Sequence, residues 1–121
     1  MRTVVLFIIL LVVVSCACPR SDWTRADSMR EASYLALHVL DWGQTLDIAD
    51  HPEKFYERNP ILGEHPSRGE VNRYFAAGMV LHPVVSYLLP RPYREWWQYS
   101  TIGLEMVVVG NNARIGIGMG F

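Results

Sequence analysis

Five residues in this chain combine a reactive side chain with an apolar setting. His38, Asp41 and Gln44 recur three apart within SYLALHVLDWGQTLDIA, residues 33–49. On a helix that spacing puts neighbours on one face, where they can touch. His82 and Glu105 lie in two later apolar stretches. A carboxylate or imidazole among aliphatic side chains is costly unless paired, so these groups are expected to meet inside the fold. Such a buried polar set could relay protons, hold a small polar ligand or bind a metal ion. His38, Asp41, His82 and Glu105 are all ligand types, but no His-Glu-x-x-His or comparable spacing is present. No metal and no cofactor is therefore expected. Ser86 has no nucleophile-elbow motif around it, and Cys16 and Cys18 lie in the N-terminal region. No catalytic residue is assigned. The preferred reading is structural: polar groups meeting between helices fix their packing, at about 1 kcal/mol each.

Three helices are expected to position these residues. The first carries an apolar stripe of Leu35, Val39, Trp42 and Leu46 beside a polar stripe of Tyr34, His38, Asp41 and Thr45. Ser28 with Glu31 reads as its capping box, and His51-Pro52 ends it near Asp50. HPEKFYERNPILGEHPSRG, residues 51–69, holds three prolines and two glycines and reads as a loop, with Ile61 and Leu62 pinning it to the helices. The second helix is expected over Glu70–Leu89. Its last sixteen residues, from Tyr74, carry no formal charge apart from His82. Pro83 should kink it, and sixteen falls just short of the roughly 17 residues that span a bilayer. The third helix follows Pro92 and runs to about Gly110, with Gln98, Thr101, Glu105 and Asn112 on one stripe. Arg91, Arg94, Trp96, Trp97 and Tyr99 near its start suit a membrane–water interface, and equally an ordinary helix with its Trp residues in the core. The final ARIGIGMGF alternates with strand period. It reads as an extended tail packed on the helices, or as an edge through which copies of the chain pair into a homo-oligomer. The fold class is all-α: a three-helix bundle behind an N-terminal signal segment, with a short extended C-terminal tail.

The chain has 121 residues, 50% hydrophobic and 19% charged, with a net charge of −1. That allows one domain at most and gives no electrostatic reason to expect nucleic acid as a partner. Arg2, the eleven apolar residues Val4–Val14 and Ser15 have the three parts of a secretory signal. The expected division is a signal over 1–15, a tether over 16–27 and a helical domain over 28–121. Val13-Val14-Ser15-Cys16 resembles the lipobox of bacterial lipoproteins. That resemblance implies acylation of Cys16 and a membrane-lipid partner. Ala17, in place of an acidic residue, favours by the same resemblance the periplasmic face of the outer membrane, with the inner membrane as the alternative.

Asp41-Trp42-Gly43-Gln44-Thr45, followed by Glu57-Arg58-Asn59-Pro60-Ile61-Leu62-Gly63 and an apolar helix, is similar to a family of small uncharacterised helical membrane proteins of bacteria and their phages. The resemblance covers about residues 33–110. It implies a compact helical membrane protein and names no activity. Together these readings lead to a membrane-associated, non-enzymatic accessory or interaction protein of the bacterial envelope, with an envelope protein as a possible partner. In a phage setting the role would be envelope modification, lysis or exclusion of competing phage. The other class is a small membrane enzyme or transport component using Asp41, His82 and Glu105.

Overall fold

The computed structural model describes residues 23–121, which form three helices: α1 (Arg25–Asp50), α2 (Arg68–Leu88) and α3 (Arg91–Arg114). The signal segment, Cys16, Cys18 and most of the tether lie outside the described residues. The three-helix bundle expected from the sequence is the observed architecture. α1 packs against both other helices, which touch each other far less. Residues near the start of α1 meet residues near the start of α3, and Gln44 near its end meets Val109. α1 and α3 therefore run parallel in direct contact, and α2, which links them in the chain, runs antiparallel on α1.

α1 begins earlier than expected. The cap is Thr24, not Ser28: the Thr24 amide and hydroxyl donate to Asp27 Oδ2 at 2.8 and 2.7 Å, and the Asp27 amide returns a bond to Thr24 Oγ1. This reciprocal box satisfies donors that a helix start leaves open. It also frees Glu31 to turn inward as an ordinary helical residue. α2 starts two residues before the expected Glu70, with Ser67 and Glu70 forming its capping box. Pro83 lies inside α2 without ending it.

α3 continues past Gly110 to Arg114, and its stop signal is Gly116. Gly116 has φ +87°, its amide donates to the Ala113 carbonyl, and the Ile117 amide reaches back to Asn112 at 3.0 Å. These are the two bonds of a Schellman closure, which needs a left-handed residue that glycine supplies without strain. The expected strand period of the tail is thus broken at Gly116. Ile117 is the tail's buried aliphatic residue, while Ile115, Met119 and Phe121 are exposed. The tail does pack on the bundle. Gly120 donates to the Gly43 carbonyl at 2.8 Å, Gly118 donates to Asp47 Oδ2, and Arg68 donates to the Gly120 carbonyl.

The α1–α2 loop is held by its own polar atoms. Glu57 Oε1 accepts from the Arg58 and Asn59 amides, Asn59 Oδ1 accepts from the Ile61 amide, and Gly63 closes the turn at φ +77°. Leu62 packs against the core as expected, but Ile61 is 77% exposed and pins nothing. The apolar core is small and sits at this end of the bundle. Leu46, Val71 and Phe75 form it, with Trp42, Ala49, Leu62 and Tyr74 around them.

Toward the other end the interior is polar. Along α1, Asp27, Glu31, Tyr34, His38, Asp41 and Thr45 follow in alternating steps of four and three. Such spacing keeps one seam facing its neighbours. Asp41 is half-buried and the other five are buried. The apolar stripe expected to form the α1 core is only partly inside. Leu46 is buried, Leu35 and Trp42 are half-buried, and Val39 is exposed. Burial follows the polar stripe because its members have partners on α2 and α3 spaced to receive them.

Candidate functional site

The interior seam is built in layers. At the start of α1, Arg94 is buried and donates to the carbonyls of Ser86 at 2.8 Å and Leu89 at 3.1 Å, and to Asp27 Oδ2 at 3.4 Å. It thereby covers carbonyls that the end of α2 leaves without helical donors and ties them to the start of α1. Arg30 adds bonds to Asp27 Oδ1 at 2.6 Å and to Gln98 Oε1 at 2.8 Å. Burial alone would raise the Asp27 carboxyl. The donors from Thr24 and Arg30, with the charge of Arg94, overcome it and hold the group below its usual range.

One turn further, Gln98 Nε2 donates to Glu31 Oε2 at 3.0 Å, and Glu31 Oε1 lies 2.6 Å from His82 Nδ1. Glu31 is also held low: burial opposes ionisation, but hydrogen bonds from His82 and Gln98 outweigh it. The other His82 nitrogen, Nε2, meets Thr101 Oγ1 at 2.8 Å. His82 is packed between rings, with the Tyr34 centroid at 3.5 Å and the Trp97 centroid at 5.0 Å. Burial raises the Tyr34 phenol, and the charge of Glu105 raises it further.

Beyond Tyr34 lies His38. Its Nδ1 is 2.7 Å from Glu105 Oε1 and 3.3 Å from the Tyr34 hydroxyl, and its Nε2 is 3.2 Å from the Phe75 carbonyl. Gly78 makes room for the ring, since a Cβ there would stand 2.5 Å from His38 Nε2. The last layer holds Asp41, with Asn112 Nδ2 at 3.5 Å from Oδ1, and Gln44, whose Nε2 donates to the Val109 carbonyl at 3.3 Å. Burial, reinforced by the charges of Glu105 and Glu57, pushes the Asp41 carboxyl up to about 7. Gln44 Oε1 and Glu105 Oε2 are buried without a hydrogen-bond partner.

The five residues singled out in the sequence thus occupy one seam, in two groups. His38 and Glu105 bond directly, with Asp41 close enough for the Glu105 charge to act on it. His82 stands apart, on the far side of the Tyr34 ring, and pairs with Glu31. Asp27, Glu31 and Arg94 are the members that sequence reasoning placed elsewhere, while Gln98, expected on the stripe of Glu105, faces the same seam. Glu31 was expected in a cap and Arg94 at a membrane interface, whereas both are buried partners. The available signal was the four-three spacing of polar residues on α1, matched by Arg94, Gln98, Thr101 and Glu105 on α3.

Among the described residues, no group of three or more His, Cys, Asp or Glu is placed to hold a metal ion. A surface groove of about 340 Å³ lies beside the α1–α2 loop, lined by Ile61, Leu62, Glu70, Arg73 and Tyr74, and includes none of the seam residues. Chemically, the seam binds hydrogens between helices. Comparison with family models, curated proteins and solved structures finds no match, so the functional reading rests on sequence and geometry.

Proposed function

We propose that this is a lipid-anchored, membrane-associated accessory or interaction protein of a bacterial envelope, bacterial or phage-encoded, without enzymatic activity. The observation that carries this reading is the inverted distribution of side chains. Val80, Leu81, Val84 and Leu88 on α2 and Leu104, Met106, Val107 and Val108 on α3 are exposed, while the ionisable groups of the same stretches, His82 and Glu105, face inward. An extended exposed apolar surface marks a contact with protein or membrane, and polar residues as interhelical glue suit helices in an apolar surrounding. No described helix is long and apolar enough to cross a membrane. The reading needs no crossing, only an outer face resting against lipid.

The aromatic residues add support. Trp23 at the start of α1, Tyr87 at the end of α2, and Tyr93, Trp96 and Tyr99 at the start of α3 gather at one end of the bundle, with Arg25 and Arg91 exposed beside them. Rings and arginines together favour the headgroup region. Trp23 follows the lipobox cysteine by seven residues, so an acylated Cys16 would tether this same end. The catalytic or transport alternative would draw on Asp41, His82 and Glu105, but both ring nitrogens of His82 are engaged by Glu31 and Thr101, and Glu105 Oε1 by His38.

Vesicle flotation with full-length protein tests the proposal. The expected result is co-flotation with phospholipid vesicles, an intact mass lacking residues 1–15 and carrying acyl chains on Cys16, and partial retention in Cys16→Ser. Adding Val84→Glu and Val107→Glu to that variant should release it. A protein that stays monodisperse in detergent-free buffer and never floats would overturn the reading.

A further inference from the structure

The Phe75 carbonyl can only accept, so His38 Nε2, 3.2 Å away, must carry hydrogen and donate. A neutral His38 then has a bare Nδ1. That nitrogen lies 2.7 Å from Glu105 Oε1, and an ionised carboxylate is also only an acceptor. Two acceptors do not approach to this distance without a hydrogen between them. We propose that the His38–Glu105 contact is a proton-operated clamp between α1 and α3: it holds one proton more than a neutral imidazole and an ionised carboxylate possess, and it opens when that proton leaves.

The step balances simply. A solvent base takes the proton from the Nδ1–Oε1 bridge, leaving neutral His38 protonated at Nε2 and Glu105 as a carboxylate. The pair passes from zero net charge to −1, and lone pairs face each other across the α1–α3 contact. The groups around it supply no new donor to Glu105. From α1 itself, the Tyr34 hydroxyl at 3.3 Å is the remaining donor to Nδ1, and Asp41 adds a carboxyl whose charge repels Glu105. From α2, the Phe75 carbonyl already occupies Nε2, and Gly78 brings no side chain. From α3, Asn112 reaches Asp41 rather than Glu105. Glu57, in the loop, bears on Asp41 with more negative charge. The arginines of the seam are at the opposite end, engaged with Asp27, Gln98 and the end of α2.

His82 and Glu31 repeat the arrangement between α2 and α1 less strictly. If the Thr101 hydroxyl donates to the Trp97 carbonyl at 2.8 Å, it accepts from His82 Nε2, and Nδ1 again faces a carboxylate oxygen at 2.6 Å. Thr101 can reverse its hydroxyl and donate to His82 instead. The Phe75 carbonyl cannot, so His38 is the position at which the proton is obligatory.

The test uses full-length protein with its histidines nitrogen-15 labelled and followed by nuclear magnetic resonance from neutral to alkaline pH. The expected neutral-pH spectrum contains a strongly downfield bridging proton assigned to His38 Nδ1, absent in His38→Gln. As that signal titrates away, hydrogen-exchange protection of α3 amides around Glu105, corrected for intrinsic rates, should fall about tenfold or more, the scale of one charge-assisted bond. Glu105→Gln supplies a permanent amide donor to Nδ1, and its protection should stay flat across the same range. A His38 Nδ1 without a bridging proton at neutral pH overturns the proposal. So does protection that survives loss of the signal, or a Glu105→Gln profile that follows the unsubstituted protein. If Glu105→Gln does not fold, the unsubstituted protein's signal and protection decide the matter together.

Discussion

Arg94 and Asp27 meet at 3.4 Å with both side chains shut away from water, and through them the start of α1 is fastened to the end of α2. The guanidinium serves acceptors in several directions at once, which suits its rigid fork of donors. Lysine keeps the charge but brings a single ammonium centre. Arg94→Lys should therefore lower unfolding stability by about 2–4 kcal/mol, approaching the cost of breaking a buried pair. Chemical denaturation would read this as a shifted midpoint with little change in slope. A variant as stable as the original would show that the α2 carbonyls do not need this donor.

Asp41 should make the fold less stable as pH rises. Its folded value, about 7, lies above the ordinary 3.8 because burial and the nearby charges of Glu105 and Glu57 disfavour the anion. Its contribution is complete below the unfolded value and disappears as pH rises through the folded one. Asp27 and Glu31 act in the opposite direction. Both are held below their ordinary values, so their contribution is present above the unfolded values and is lost as pH falls through the folded ones. Thermal melts should pass through a maximum on the acidic side of neutrality. Asp41→Asn should remove the decline between about pH 4 and 7, and above that range should stabilise by about 1–2 kcal/mol. An unchanged profile in that variant would place the decline elsewhere.

Gly78 should tolerate no larger side chain while His38 stays in place. A Cβ there would lie 2.5 Å from Nε2 and 2.9 Å from Cε1 of the imidazole. The ring cannot swing aside without leaving the Phe75 carbonyl and Glu105. Gly78→Ala should cost about 1–3 kcal/mol, as overpacking does, and the His38 side-chain resonances should move. Loss of stability with an unchanged His38 spectrum would mean that the backbone of α2 yields instead.

The tail offers a graded comparison. At Gly43 an added methyl would meet the flexible ends of Met119 and Phe121, whereas at Gly120 it would meet the backbone of Leu46 and Asp47 at 2.5–2.7 Å. Gly43→Ala should shift Met119 and leave the tail seated. Gly120→Ala should unseat it, breaking the bonds to Gly43 and Arg68 and exposing residues 115–121 to carboxypeptidase. Deleting those residues should reduce stability. If it instead turned a cross-linked oligomer into monomer, the tail would be a contact between copies of the chain.

The elements were legible because punctuation and periodicity agree over long stretches: Pro52 after α1, Pro90 and Pro92 around the turn into α3, and a run without formal charge along α2. The boundaries were harder where two signals of one type compete. Ser28-x-x-Glu31 reads as the cap, yet the helix starts at Thr24-x-x-Asp27, inside the stretch expected to be tether, and Glu31 is drawn inward by its partner His82. Gly110 reads as the stop, but the helix runs on to Arg114 because the bonds from Gly116 and Ile117 close it there. Which face of α1 turns inward was the hard question. Hydropathy alone favours Leu35, Val39, Trp42 and Leu46. The matching polar spacing on α3 favours the other stripe, but this shows only when two helices 60 or more residues apart are set side by side. Arg94 was hidden for the same reason, since its partners are Asp27 and main-chain carbonyls.

The polar seam also decides which substitutions lineages of this molecule could accept. Swapping one aliphatic residue for another on the outside leaves every bond in place, so drift there should be free. Inside, Asp27, Glu31, His38, Arg94, Gln98 and Glu105 each answer to a partner on another helix, and a change in one invites a compensating change in the other. Distant kin would then share the rhythm of their hidden charged letters long after their greasy exteriors had ceased to resemble one another.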